Sequence, residues 1–348
     1  MNNTVYAWQE GLWQKIQQMR ASLPHAILFH GPSGIGKTTF VEHFAQSLLC
    51  ENILPDGHAC GVCASCGWFS QYSHPDYRRI RPGVLDALES QAEGEAEEEA
   101  GEAKSGGKTS SKAPSKAIRI EQVRALSDFM NISTHRQGRR VVVLYPAESL
   151  GVEAANSLLK MLEEPAPGTV FLLVSSNIDR LLPTVLSRCR KIPLPLPARE
   201  ESLQWLLGQG VKEAEVWLAE QGGSPLTALE LSQAGGREEM DEFLAHLSKP
   251  SVVGALKIAE RLQKAPVKQS ISWMQRWLYD IFSLRYTGVV RYYPRYKKEL
   301  AVLAAQSEPA ALLSLLKAVS TRNLIAEHPL VPRLFLEDML LEYLEVVS

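Results

Sequence analysis

The stretch that most constrains this chain is His25–Phe40, which reads His-Ala-Ile-Leu-Phe-His-Gly-Pro-Ser-Gly-Ile-Gly-Lys-Thr-Thr-Phe. The apolar run Ala26–Phe29 leads into Gly31-Pro32-Ser33-Gly34-Ile35-Gly36-Lys37-Thr38-Thr39, and an amphipathic segment, Phe40–Leu49, follows. Strand, glycine-rich loop and helix in that order make a phosphate-binding loop. The glycines let backbone N–H groups turn inward onto phosphate oxygens. The helix aims the positive end of its dipole at the same anion. Lys37 would neutralise phosphate charge, and the Thr38 hydroxyl would ligate Mg²⁺. The expectation is a P-loop fold whose phosphate cradle spans Gly31–Thr39, with ATP–Mg as the ligand it could take and nucleotide binding left open; the plainer alternative is an ordinary glycine-rich turn. Holding ATP and hydrolysing it are separate matters, and residues further along bear on the second.

Directly after the loop's helix come Cys50, Cys60, Cys63 and Cys66, spaced C-x9-C-x2-C-x2-C. Two overlapping C-x2-C steps bring three sulfurs together, and Cys50 at the helix end can close a tetrahedron. A structural Zn²⁺ site takes four thiolates and leaves no open position. The loop between them is poor in apolar residues, so metal would supply its order. The alternative is a set of reduced surface thiols. His58 and His74 lie close by, but four cysteines already fill the site.

The rest of the chain bounds the setting. With 348 residues, more than one domain is expected. The net charge of −2 gives no overall steering toward nucleic acid. No apolar run approaches the ~18 residues of a membrane span, and Met1–Arg20 has no apolar signal core. A cytoplasmic protein is expected, in which five cysteines point to metal or free thiol rather than disulfide. Ala7–Arg20 reads as a short core-covering helix. Tyr77–Arg81 reads as a strand. Gly83–Ala117 is rich in Glu, Ala, Gly, Ser and Lys, and is expected to be a disordered insertion. Helical spacing then marks Ile118–Met130 and Glu148–Glu164, and buried strands are expected at Arg139–Tyr145 and Thr169–Val174. Alternating strands and helices predict a parallel sheet covered on both faces. Beyond the Pro-rich Leu194–Ala198, strand signals fade and the chain reads as helical to Ser348.

These residues resemble the bacterial DNA polymerase III clamp-loader family of AAA+ proteins. The resemblance spans most of the chain. It rests on the phosphate loop, the four-cysteine loop after its helix, Asn156-Ser157-Leu158-Leu159-Lys160-Met161-Leu162-Glu163-Glu164-Pro165, and Ser187-Arg188-Cys189. It implies an α/β P-loop AAA+ domain over residues 1–193, carrying the zinc loop (50–66) and the insertion (83–117). A small helical lid (194–242) and an all-α collar (243–348) would follow. The family opens a ring-shaped sliding clamp and places it on primed DNA, using ATP. The implied partners are the tau/gamma and delta loader subunits, the sliding clamp and, through the assembly, primer–template DNA, with no membrane.

Two departures bear on catalysis. ATP-hydrolysing members resemble Asp-Glu-Ala-Asp/His at the end of the Val141–Leu144 strand, where the Asp holds Mg²⁺ and the Glu polarises water. Here those positions are Tyr145-Pro146-Ala147-Glu148. Tyr is a poor Mg²⁺ ligand and Pro offers no base; Glu148 is expected to sit too far along to replace either. In the lid, active members place an arginine after a Gly-Ser pair, whereas here Gly223-Ser224 is followed by Pro225-Leu226-Thr227. The resemblance is thus to a non-hydrolysing stator that lends Arg188 to ATP on a neighbour. A guanidinium fork can spread charge over phosphate oxygens as the transition state forms. The plain reading of Arg188 is a surface arginine beside a strand; Cys189 reads as a packed small residue. The competing functions are a self-sufficient ATPase motor of tau/gamma or helicase type, and a zinc-stabilised interaction module on the same fold. Finally, Arg285, Arg291, Arg295, Lys297 and Lys298 interleave with Tyr286, Tyr292, Tyr293 and Tyr296. That pattern suits contact with DNA or a protein, or a solvated helical edge.

Overall fold

A computed structural model of the chain describes residues 5–90, 114–132, 134, 138–234, 237–325 and 331–347. It forms two compact units, Met1–Leu196 and Pro197–Ser348.

The first unit is built on five parallel strands: β1 (Ala26–His30), β2 (Tyr77–Ile80), β3 (Arg140–Leu144), β4 (Thr169–Ser175) and β5 (Arg190–Pro193). Their order is β2-β3-β4-β1-β5, so β4 is inserted between the phosphate-loop strand and β3. Every residue of β3 and β4 is buried, as a sheet covered on both faces requires. Side-chain alternation divides the core in two. Ile27, Phe29, Val141, Val143, Leu172 and Val174 face one side, with Phe40 and Phe44 of α2 (Lys37–Leu49) and Trp13 of α1 (Glu10–Gln18). Leu28, Val142, Leu144, Phe171 and Leu173 face the other, with Leu126 of α5 (Ile120–Asn131) and Leu158 of α6 (Val152–Glu163). Between α2 and α5 in the chain come α3 (Ala64–Ser70) and a helix, α4, at residues 83–90.

That α4 helix corrects part of the expected disorder. Its Glu89 bonds both Nη atoms of Arg79 at 3.1 and 2.6 Å and also pairs with Arg81, whose Nε reaches Asp86 at 2.6 Å. Ion pairing to β2 and the residue after it, which composition does not display, orders the segment. At the far end, Ser115 O accepts from Val84 N at 3.1 Å, and Ile118 pairs with Leu150. The remainder of the expected insertion, residues 91–113, lies outside the described residues. The expected single helix over Glu148–Glu164 is instead a 3₁₀ turn, Ala147–Ser149, followed by α6. A short helix, α7 (Pro183–Leu186), precedes β5.

Among the described residues, the regular structure of the second unit is all helical. Helices α8 (Arg199–Gly208), α9 (Ala214–Glu220) and α10 (Pro225–Ala234) enclose a small core around Leu206, Trp217 and Leu218. A larger core belongs to α11 (Arg237–Ser248), α12 (Val252–Leu262), α13 (Val267–Thr287), α14 (Lys297–Gln306), α15 (Pro309–Ile325) and α16 (Pro332–Val347). Helix α11 straddles the expected 242/243 boundary and gives Met240 and Phe243 to the larger core. Within it Trp277 Nε1 donates to Tyr343 OH at 2.9 Å, which donates to Leu247 O at 2.7 Å.

The basic and aromatic run that begins in the last turn of α13 is partly engaged inside this unit, while Arg291, Lys297 and Lys298 are exposed. The Asp280 carboxylate, fully buried, accepts the N–H groups of Arg291, Tyr292 and Tyr293 at 2.8, 3.0 and 2.7 Å. Arg285 donates to Ala304 O and Ser307 O at 2.5 and 2.9 Å, satisfying carbonyls at the end of α14. Arg295 pairs with Asp241 at 2.6 Å, and Tyr293 is buried. Among the described residues no single helix is long and apolar enough to cross a membrane.

Candidate functional site

The loop after β1 is held from several directions. Gly31 N donates to Ser175 O at the end of β4, at 3.3 Å. A Cβ at Gly31 would lie 2.0 Å from Leu194 O, so only glycine fits beside the chain leaving β5. Gly36 has φ 84°, and a Cβ there would meet the Tyr6 ring at 2.5 Å. The Ile35 carbonyl accepts from Trp8 Nε1 at 3.1 Å and Gln9 Nε2 at 2.8 Å. Tyr6 stacks on Trp8 with centroids 4.7 Å apart and hydrogen-bonds Thr39. The segment before α1 therefore clasps the loop as well as covering core. No motif in the sequence marks Tyr6, Trp8 and Gln9 for this task, because their partners are a carbonyl and a ring face.

Lys37 opens α2 and is buried, and its ammonium donates to the Pro32 carbonyl. Burial pushes its pKa down to about 8, against which the Glu148 carboxylate works. Ser33 and Pro32 are exposed, while Thr38 and Thr39 are half-buried in the helix's first turn. Spacing alone sets Glu148 apart from the site. The 3₁₀ turn brings it within electrostatic range of Lys37, and its Oε1 accepts from Ser176 N, just past β4, at 3.0 Å.

At the end of β3, Tyr145 turns into a polar cluster. Its hydroxyl donates to Glu42 Oε1 of α2 at 3.2 Å and accepts from Arg81 Nη1 at 3.4 Å. Tyr72 OH donates to Glu42 Oε2 at 3.3 Å, and Arg79 lies 3.6 Å over the Tyr72 ring and 3.9 Å from Glu42. Burial raises the pKa of both Tyr145 and Glu42; arginines and hydrogen bonds oppose the rise. Pro146 follows and brings no ionisable group. Neither position presents a carboxylate.

Arg188 lies between α7 and β5, with a third of its side chain exposed. Its Nη1 donates to Thr184 O at 2.9 Å and Ser187 Oγ at 3.3 Å, while Nη2 pairs with the Glu163 carboxylate at the end of α6. Cys189 is buried in the core, and burial pushes its thiol up to about 11.

The four cysteines meet at the C-terminal end of α2, where Cys50 ends the helix. Their sulfurs all lie within 4.8 Å of one another, with Cys50–Cys63 and Cys60–Cys66 each at 4.0 Å. Zn–S bonds of ~2.3 Å in a tetrahedron space sulfurs ~3.8 Å apart, so the cluster has the size and donors for such an ion. Backbone N–H groups point at three of the sulfurs, while burial pushes the thiols of Cys50 and Cys66 up. Cys60 N donates to Cys50 Sγ at 3.2 Å, and Cys63 N and Cys66 N each donate to the preceding cysteine's sulfur at 3.4 Å. Donation from Val62 and Cys63 holds the Cys60 pKa down to about 6. The histidines are engaged elsewhere: His58 bonds His43 at 2.7 Å and stacks on Trp13, and His74 accepts from Asp76 N.

A parallel sheet ordered β2-β3-β4-β1-β5, with a phosphate loop after β1 and a helical unit after β5, defines the AAA+ class of P-loop proteins. A family model described as DNA polymerase III, delta subunit, matches residues 8–197. The chain is 38% identical to DNA polymerase III subunit delta' of Pseudomonas aeruginosa, over 81% of this chain and 78% of that protein. Against the proteins of the same name from Haemophilus influenzae and Escherichia coli, identity is 31% and 28%, over 69% and 74% of this chain and 65% and 69% of theirs. The chain belongs to this DNA polymerase III subunit family.

Proposed function

We propose that this chain is the stator of a DNA polymerase III clamp loader. In this reading it works with tau/gamma and delta subunits in the cytoplasm, helping to open the sliding clamp and load it on primer–template DNA. Its own ATP hydrolysis is negligible. The observation that carries this is the end of β3, where Tyr145 is bonded into the Glu42–Arg81 cluster and Pro146 has nothing to ionise. Neither of those two positions can hold Mg²⁺ or draw a proton from water, and Glu148, further along the turn, already accepts from Ser176 N.

The chain's chemical part is Arg188. Its planar fork, a third exposed at the surface of the first unit, would reach the γ-phosphate of ATP on a neighbouring chain. There it would bind the phosphate oxygens as charge spreads over them. The phosphate loop, Gly31–Thr39, holds nucleotide weakly or serves as a structural contact. Cys50, Cys60, Cys63 and Cys66 hold one Zn²⁺ that orders residues 50–66 and supplies no reactive water. Helices α8–α10 act as lid and α11–α16 as collar.

The test is a loader reconstituted with Arg188→Ala. DNA-stimulated ATP hydrolysis at one neighbouring site should fall by on the order of 10³-fold, with assembly intact by native mass spectrometry. Wild-type hydrolysis in this variant, together with arrest by Lys37→Ala, would show a motor instead.

A further inference from the structure

Arg188 is not a free arm. Three of its five N–H donors are bound within the chain, by Thr184 O, Ser187 Oγ and the Glu163 carboxylate. Thr184 and Ser187 belong to the same short segment, so they fix the guanidinium only locally. Glu163 comes from another element, the last turn of α6, 25 residues earlier in sequence. That turn is itself anchored: His25, at the entrance to β1, bonds Leu162 O at 3.0 Å. The face of α6 behind it is buried through Leu158, Met161 and Leu162. Glu163 is therefore a carboxylate on a rigid mount, whereas Arg188 sits on a short turn between α7 and β5.

We propose that Glu163 is the positioning residue for Arg188. It holds one Nη2 hydrogen so that the guanidinium plane stays fixed at the surface, with two donors left for phosphate oxygens of a neighbouring chain. This rests on the trans-acting reading of Arg188. An arginine has four rotatable side-chain bonds, and an unrestrained fork samples many orientations at the surface. A fixed one meets the transition state without that search. The pair is half exposed, at 33% and 49% of the two side chains, so its removal costs the fold little. Its effect should appear in turnover rather than in stability.

The experiment uses the reconstituted loader carrying Arg188→Ala, Glu163→Ala, Glu163→Gln or Arg188→Ala with Glu163→Ala. ATP hydrolysis is measured with saturating clamp and primed DNA, and the melting temperature of each subunit is recorded. Glu163→Ala should lower kcat roughly 10-fold, inside the ~10²-fold that a 1 Å misplacement can cost. KM for ATP and the melting temperature should be unchanged. Glu163→Gln keeps a carbonyl acceptor for Nη2 and should recover part of the loss. The double variant should be no slower than Arg188→Ala, because Glu163 acts only through that arginine. If Arg188→Ala is slow while Glu163→Ala turns over at or above the wild-type rate, the positioning role is wrong and the trans arginine stands. A double variant slower than Arg188→Ala would overturn the positioning role in the same way. If Arg188→Ala itself has no effect, both fall together.

Discussion

The loop that follows β1 and the turn that follows β3 lie at the same carboxyl end of the parallel sheet, separated in strand order only by β4. They have been kept to different standards. The first carries glycines where the backbone is crowded, a buried lysine and a helix start. The second has no carboxylates at its first two positions, and the space they would command is filled by a tyrosine bonded to Glu42 and Arg81. The loop and the strand end are thus separable pieces of one end of the sheet. The loop also has packing to do: it carries the carbonyl that Trp8 and Gln9 grip.

The sharpest way to break this contrast is to exchange the two losses. If hydrolysis lies on a neighbouring chain, Arg188→Ala should cost on the order of 10³-fold at one site of the assembled loader. Lys37→Ala should cost less than about threefold. Arg188→Lys should not rescue, because an ammonium is a point charge without the planar fork. Equal sensitivity to Lys37→Ala and Arg188→Ala would mean that the chain's own loop turns over ATP.

The cysteine loop extends the comparison, since it packs on the same α2 helix that begins with Lys37. His58 and Asp56 tie it to Trp13 and His43, so it has a foothold besides its sulfurs. Cys63→Ser, or removal of metal by a chelator, should raise the rate of proteolysis between residues 57 and 68 by on the order of 100-fold through local opening. The sheet should stay folded, and nucleotide affinity should not change. Metal analysis finding no zinc in protein prepared without chelator would remove this reading.

A smaller effect is expected at the overwritten strand end. Tyr145→Phe removes bonds to Glu42 and Arg81, leaving a buried carboxylate with one acceptor site unfilled, and should cost about 1.5–3 kcal/mol. Each kcal/mol should lower the melting temperature of the first unit by about 2–4 °C. Tyr145→Asp should be worse for stability, because it sets a second carboxylate beside Glu42, and should still not produce hydrolysis. Turnover appearing in Tyr145→Asp would show that the loss at β3 is one residue deep.

What the sequence displays and what it hides divide along physical lines. Glycine spacing and cysteine spacing are legible because backbone cradles and tetrahedral ions demand fixed intervals. The β3 and β4 strands are legible because burial on both faces leaves an unbroken apolar run. The helix at 83–90 is not, because its order comes from Arg79 and Arg81 on another element. Glu148 lies too far along by spacing, yet a 3₁₀ turn returns it to the neighbourhood of Lys37. The basic and aromatic run at 285–298 is legible in part: Arg291, Lys297 and Lys298 are exposed, as a solvated helical edge would have them. Its charges look available in sequence, yet Arg285 and Arg295 are used on carbonyls and on Asp241.

The smallest predicted effect tests the retained loop itself. Burial lowers the Lys37 pKa from 10.5 to about 8, so the folded chain releases its proton more readily than the unfolded one. Between pH 8 and 10.5 the unfolded state binds more protons, and stability from this group rises with pH there. Below pH 8 the lysine is charged in both states, and the desolvation cost is carried in full. Phosphate binding runs the opposite way. An anion in the loop restores a counter-charge to Lys37 and requires its proton, so nucleotide binding should take up a proton above pH 8. Affinity should therefore be level up to about pH 8 and then fall, by at most ~10-fold per pH unit. Calorimetry with ADP from about pH 7 to 9.5, in two buffers of different ionisation enthalpy, measures both the affinity and the proton uptake. Lys37→Arg stays charged throughout and should flatten the profile. A flat profile in the native chain would mean that Lys37 does not meet the phosphate, and that this loop is kept for packing alone.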